Sequence, residues 1–256
     1  MIDPIIFRAY DIRGVVEETL TEVAVYEIAS AIGTMAHELG QQRIVVARDG
    51  RESSLGLSEI LIKGLISTGR DVIDIGMVPT PLLYFATYHL GTGSGVMITG
   101  SHNAAEYNGL KIMLDGNTLS GEEIKDIQNR THSADYVVGE GDVSYLDITA
   151  DYIRRITEDV PTHTDTPLKI VVDCGNGVAG ILAPQLLNAL GHDVIELYCE
   201  IDGKFPNHHP DPSQPENLQD LVDKVKAEGA DIGFAFDGDG DRLGLIDSDG
   251  NIIWPD

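Results

Sequence analysis

The sequence predicts an α/β protein: two consecutive α/β domains with mixed, mostly parallel sheets and active-site loops at the strand carboxyl ends. Three observations predict it. Short apolar runs rich in β-branched residues recur along the chain, and several are apolar almost throughout, as strands covered on both faces are. Segments with helical periodicity lie between them. The rhythm breaks once, between Thr131 and Ser144, where charge and glycine rise.

The strand readings are Ile44 to Ala47, Val72 to Ile75, Val96 to Ile98, Ile170 to Val172, Val194 to Leu197 and Ile232 to Phe236. Val25, Ile28, Ala29, Ile32, Ala36 and Leu39 share one helical face, with Thr19 and Glu22 spaced as a capping box and Gly40 placed to end the helix. Leu57, Ile60, Leu61 and Leu65 make a second face. A helix is expected over Tyr145 to Glu158, bridging the domains, followed by a polar, proline-bounded stretch from Pro161 to Pro167. The domains are therefore placed at 1–148 and 149–256. Leu243 to Ile246 and Asn251 to Trp254 read as strands joined at Asp249-Gly250. The abrupt stop at Pro255-Asp256 suggests a truncated chain.

Composition excludes several classes. With 17 Lys and Arg against 42 Asp and Glu, a net charge of −25 rules out a basic nucleic-acid surface. No apolar run is long enough for a bilayer, and the first residues lack the pattern of a signal peptide. Cys174 and Cys199 make no disulfide framework, so reduced thiols in the cytoplasm are expected. Several of the scarce arginines sit beside glycines, namely Arg13, Arg48, Arg51 and Arg242. They read either as anion donors at turns or as surface charge.

Two motifs carry chemistry. TGSHNAAEYNGLK (99–111) follows a buried strand, at the sheet edge where open α/β proteins bind ligands. Gly100 lets the backbone turn, and Ser101 presents a hydroxyl there. It is not a hydrolase elbow, because Thr99 and Asn103 stand where glycines are needed. A plain polar turn is the competing reading. FDGDGDR (236–242) also follows an apolar run. Asp237, Asp239 and Asp241 alternate along an extended segment, and carboxylates so close demand a cation, with oxygen donors suited to magnesium. Arg242 adds a charge able to hold a phosphate against that metal. An EF-hand fails, since Arg242 and Ser248 occupy its Gly and Glu positions. An aspartyl phosphatase with Asp237 as nucleophile stays open, as do an acidic surface turn and a non-catalytic sugar-phosphate binding module. FPNHHPDP (205–212) reads as a rigid loop, and CGNG (174–177) as a tight turn.

Together, FRAYDIRG (7–14), TGSHNAAEYNGLK and FDGDGDR resemble the α-D-phosphohexomutase superfamily, in its phosphomannomutase/phosphoglucomutase branch. The resemblance covers that family's first two of four domains: domain I with the phosphoserine loop, and domain II with the metal loop and the start of domain III at its very end. It implies that Ser101 is the phosphoserine and that Asp237, Asp239 and Asp241 bind one Mg2+ with its phosphate. It implies that His102 and Arg242 flank the phosphoryl group, that Lys111 and Arg13 serve proton transfer or phosphoryl stabilisation, and that Tyr10 faces the site. The implied reaction interconverts hexose 1-phosphate and hexose 6-phosphate, for mannose and glucose, through a hexose 1,6-bisphosphate. Glucose 1,6-bisphosphate is the implied activator, in a cytoplasmic monomer. The site is expected in a cleft between the domains, and this chain alone is expected to bind magnesium with little turnover. One departure stands out: Ala104 and Ala105 replace prolines common after SHN, which leaves the loop less stiffened.

Overall fold

A computed structural model describes residues 2–160 and 166–254. Residues 161–165, most of the proline-bounded stretch, and the final Pro255-Asp256 lie outside the described residues. The chain forms two compact units, one of Met1–Gly100 with Ala104–Asp147, the other of Ser101–Asn103 with Ile148–Asp256. The tripeptide that begins with Ser101 thus packs with the second unit.

The first unit contains, in chain order, β1 (Ile12–Val15), α1 (Glu22–Glu38), β2 (Arg43–Arg48), α2 (Ser54–Ile66), β3 (Asp71–Met77) and α3 (Thr80–His89). Then come β4 (Gly95–Ile98), β5 (Tyr107–Leu114), β6 (Asn117–Thr118), α4 (Glu122–Ser133) and β7 (Val143–Tyr145). The sheet order is β1-β5-β4-β2-β3-β7, with β6 beside β5. β4, β2, β3 and β7 run parallel, while β5 is antiparallel to both β4 and β1. Ile44, Val46, Val96, Ile98, Leu110 and Ile112 pack into one core with apolar residues of α1, α2 and α4. On the other face α3 lies so close to β4 that a Cβ on Gly95 would come within 2.8 Å of Thr87 Cγ2.

Some local expectations shift. The N-cap of α1 is Thr21, whose hydroxyl accepts from Ala24 N at 3.2 Å, rather than Thr19. Thr19 is engaged earlier, where its Oγ1 accepts from Val15 N at the end of β1. Gly40 follows the helix at φ +71°, a left-handed position suited to glycine. Helix α4 reaches Ser133, into the stretch read as irregular, and buries Ile124, Ile127 and Thr131 on one side. Tyr145 belongs to the exposed edge strand β7, so the helix expected from there begins only at Thr149.

The second unit contains α5 (Thr149–Asp159), β8 (Lys169–Asp173), α6 (Ala183–Ala189), β9 (Asp193–Leu197), α7 (Gln219–Glu228), β10 (Ile232–Phe236), β11 (Leu243–Asp247) and β12 (Ile252–Ile253). Its sheet runs β12-β11-β10-β8-β9, with β9, β8 and β10 parallel and β10, β11 and β12 antiparallel. Alternation along β8 sends Val171 to the face covered by Leu221, Val222 and Val225 of α7, and Ile170 and Val172 to the face with Ala179 and Ala183. The β11–β12 turn is the expected one, with Asp247 Oδ1 accepting from Asp249 N and Asn251 N. Among the described residues no helix is long and apolar enough to cross a membrane.

Candidate active site

The aspartate motif is the hairpin loop between β10 and β11 and not an extended segment. Phe236 pairs with Leu243, and the backbone closes through Gly240 N to Asp237 O at 3.0 Å. Asp237 organises the turn: its Oδ1 accepts from Asp241 N at 3.0 Å and Arg242 N at 3.1 Å. Folding the loop brings one oxygen of each of Asp237, Asp239 and Asp241 within 4.8 Å of the others. Asp237 and Asp239 are fully buried, whereas Asp241 is exposed. Burial pushes the Asp237 carboxyl up to about 8, and repulsion from Asp239 and Asp241 adds to it. Three converging carboxylates, two of them out of water, fit a hard divalent cation, which would relieve that repulsion with the oxygen ligands it prefers.

Ser101 stands beside this loop. Its Oγ donates to Asp237 Oδ2 at 3.1 Å and lies 3.4 Å from His102 Nδ1. Ser101 is buried at φ +50°, a conformation costly for a residue with a Cβ and characteristic of functional turns. Gly238 makes the approach possible, because a Cβ there would sit 2.4 Å from the Ser101 carbonyl oxygen.

The motifs read as plain turns hold the loop from behind. Pro210 of FPNHHPDP offers its carbonyl to Gly238 N at 3.2 Å, and Val178, just beyond CGNG, donates its N–H to Gly238 O at 3.2 Å. In the same loop His208 Nε2 meets Asp173 Oδ2 at 2.9 Å. Burial opposes charging of His208, but the bond to Asp173 outweighs it and raises the imidazole pKa. Burial alone would also raise the Asp211 carboxyl. Hydrogen bonds from the Ser213 hydroxyl and amide, with the charges of His102 and Arg242 nearby, bring it below the usual carboxylate range. His102 and Arg242 therefore share the surroundings of Asp211, and sequence reasoning missed that carboxylate.

In the first unit the chain flanking the serine tripeptide is clamped by Asp49 and Arg51. Asp49 Oδ2 accepts from Gly100 N and from Arg51 Nε, each at 3.2 Å. Arg51 Nη1 donates to Ala104 O at 2.6 Å and Tyr107 O at 3.0 Å. Arg51 is thus spent on backbone carbonyls and not held out for an anion, which corrects one reading of the glycine-flanked arginines. The same bonds pin the Ala104 segment where prolines were missed. Arg13 lies opposite Gly109, two positions from Lys111 on β5, so register puts Arg13 and Lys111 on one sheet face as diagonal neighbours. Arg13 is buried and ion-paired with Asp11, while Tyr10 is exposed.

The site joins a buried serine hydroxyl to a cluster of three aspartates suited to a hard cation. Comparisons make the family specific. The model for phosphoglucomutase/phosphomannomutase α/β/α domain I matches residues 4–137, and that for domain II matches residues 150–250. A phosphomannomutase/phosphoglucomutase of Pseudomonas aeruginosa is 54% identical over 251 residues, covering 98% of this chain and 54% of that protein. A phosphoglucomutase of Neisseria meningitidis serogroup B is 49% identical, covering 98% of this chain and 55% of that one. The crystal structure of a phosphoglucomutase/phosphomannomutase family protein from Burkholderia thailandensis superposes with TM-score 0.96 at 48% identity, covering all of this chain and 57% of that one. The chain belongs to the phosphoglucomutase/phosphomannomutase family. It spans about half the length of the curated relatives it matches.

Proposed function

We propose that this chain is the phosphoryl-donating half of a phosphomannomutase/phosphoglucomutase that interconverts the 1- and 6-phosphates of mannose and glucose. The observation that carries the reading is the Ser101 Oγ hydrogen bond to Asp237 inside the aspartate cluster. Phospho-Ser101 gives its phosphoryl group to a free hydroxyl of a hexose monophosphate. The bisphosphate so formed turns in the site and returns its other phosphoryl to Ser101. Mg2+ held by Asp237, Asp239, Asp241 and the Ser101 phosphate would offset charge on the transferring oxygens. His102 and Arg242 flank those oxygens, and Lys111 takes or returns the proton of the reacting hydroxyl, with Arg13 beside it on the sheet. Glucose 1,6-bisphosphate recharges a serine that has lost its phosphate. We place the protein in the cytoplasm, where its two cysteines would be kept as thiols.

The test is peptide mapping of the phosphoryl-enzyme, made by incubating the chain, extended to the length of its relatives, with labelled glucose 1,6-bisphosphate. Label is expected on the peptide containing Ser101. Label on Asp237, or none, would overturn the reading. The family match gives no support to Asp237 as a phosphatase nucleophile, and in the structure both its oxygens already accept hydrogen bonds.

A pH dependence follows for magnesium. With no cation the Asp237 carboxyl is protonated up to about pH 8, so binding must expel a proton. Affinity in the unphosphorylated chain is expected to rise as pH increases towards that value, by up to about tenfold per pH unit for a single proton, and to level off above it. Calorimetry in buffers of different ionisation enthalpy reads the proton directly. A flat affinity between about pH 6 and 8 would contradict the assignment.

A further inference from the structure

We propose that Cys174 and Cys199 are a reversible thiol–disulfide pair at the foot of the aspartate loop. They are the only cysteines of the chain, and they are separated by two dozen residues, yet their sulfurs lie 3.5 Å apart. Adjacent parallel strands bring them there: Asp173 pairs with Leu197, and Cys174 N donates to Leu197 O at 3.1 Å. A disulfide needs the sulfurs about 1.5 Å closer, a change within reach of side-chain torsions. The two thiols differ in access, Cys174 being buried and Cys199 partly exposed. The hydrogen bond that holds the Cys174 proton against the Cys199 sulfur, and then burial, also push the Cys174 thiol up, which makes it the poorer first nucleophile.

With a peroxide as oxidant the chemistry balances. The Cys199 thiolate attacks one peroxide oxygen, the O–O bond breaks, and hydroxide leaves and is protonated to water. Cys174 sulfur then attacks the sulfur of the Cys199 sulfenic acid, gives up its proton, and expels the second oxygen as water. Two thiols are oxidised and one peroxide is reduced to two waters. A dithiol reductant reverses the step by exchange.

The position gives the pair a route to the site. Gly177 N donates to Cys174 O at 2.7 Å, and the next residue, Val178, donates to Gly238 O within the aspartate loop. A Cβ on Gly177 would stand 3.0 Å from Gly238 Cα, so the turn that starts at Cys174 abuts that loop with no slack. Movement of Cys174 towards Cys199 therefore bears on the backbone that presents Asp237 and Asp239.

The test treats the chain with hydrogen peroxide, blocks remaining thiols with iodoacetamide and measures intact mass. The expected result is a loss of about 2 Da with no alkylation, reversed by dithiothreitol, and one cross-linked peptide joining residues 174 and 199. The Cys174→Ser chain should instead keep an oxidisable Cys199 and show no such loss. Two alkylated thiols after treatment, sulfinic acid on Cys199 of the unchanged chain, or disulfide-linked dimers would each overturn the proposal. Amide exchange should change on oxidation in the peptide spanning 237–242 and stay the same in the peptide spanning 54–66. Unchanged exchange in 237–242 would overturn the coupling to the loop.

Discussion

Asp237→Asn is expected to abolish divalent binding while stabilising the metal-free protein. Asparagine keeps the hydrogen bonds of the loop: its Oδ1 still accepts from Asp241 N and Arg242 N, and its amide can donate to the Ser101 hydroxyl in place of the present bond. What it removes is a buried carboxyl that cannot ionise cheaply beside Asp239 and Asp241. The sign is explicit. A folded carboxyl held above its unfolded value stabilises the fold fully only below the unfolded pKa, and that contribution is lost as pH rises through about 8. Near neutral pH the variant is free of this loss, and a gain of about 1 kcal/mol or more is expected in urea denaturation without metal. Magnesium affinity should fall at least about 100-fold, since a central anionic ligand has gone. Retained affinity, or a metal-free variant less stable than the parent, would count against the assignment.

That opposition between stability and ligation explains how much of the site could be read in the sequence. Aspartates at alternate positions behind an apolar run are locally wasteful, so they signal chemistry even when their geometry is misjudged. The loop is a hairpin turn and not an extended segment, and the carboxylates converge through the bonds that Asp237 makes to two amides. Ser101 was legible for a similar reason, since a glycine-serine pair behind a buried strand has few structural uses. The supports were not legible. Asp211, Pro210 and Val178 act on the loop from other segments of the second unit, and the FPNHHPDP and CGNG patterns in or beside which they lie mark turns without showing what those turns support. The fold shows the same division. β2, β4, β8 and β10 are apolar runs and were evident, whereas β7 is exposed along its length and is defined only by its pairing with β3. β5 escaped notice because Asn108 and Gly109 interrupt its apolar pattern, and both have local tasks. Asn108 bonds the Ser53 and Ser54 hydroxyls, and a Cβ on Gly109 would meet Ile12 O at 2.2 Å.

Arg51→Ala is expected to be the most damaging single change in the first unit, lowering its unfolding free energy by about 3–5 kcal/mol. Arg51 and Asp49 are both almost wholly excluded from water, at 3% and 1% exposure, so neither charge has solvent to fall back on. Removing the guanidinium leaves the Asp49 carboxylate with bonds from the amides of Arg51 and Gly100 and the Ser54 hydroxyl, but with no counter-charge in the clamp. It also takes the donor from the carbonyls of Ala104 and Tyr107 and opens space against Gly100, where a Cβ would stand 2.5 Å from the guanidinium carbon. Lysine should restore only part of the loss, because one ammonium cannot span a carboxylate and two carbonyls with the fixed spacing of the guanidinium fork. The loop that lacks prolines owes its order to this arginine, so the same substitution is expected to speed proteolysis between residues 99 and 107. Urea denaturation and limited proteolysis read the two effects separately. A loss under about 1 kcal/mol would show that the pair contributes no more than a surface ion pair, and an unchanged cleavage rate would show that the loop is held by other means.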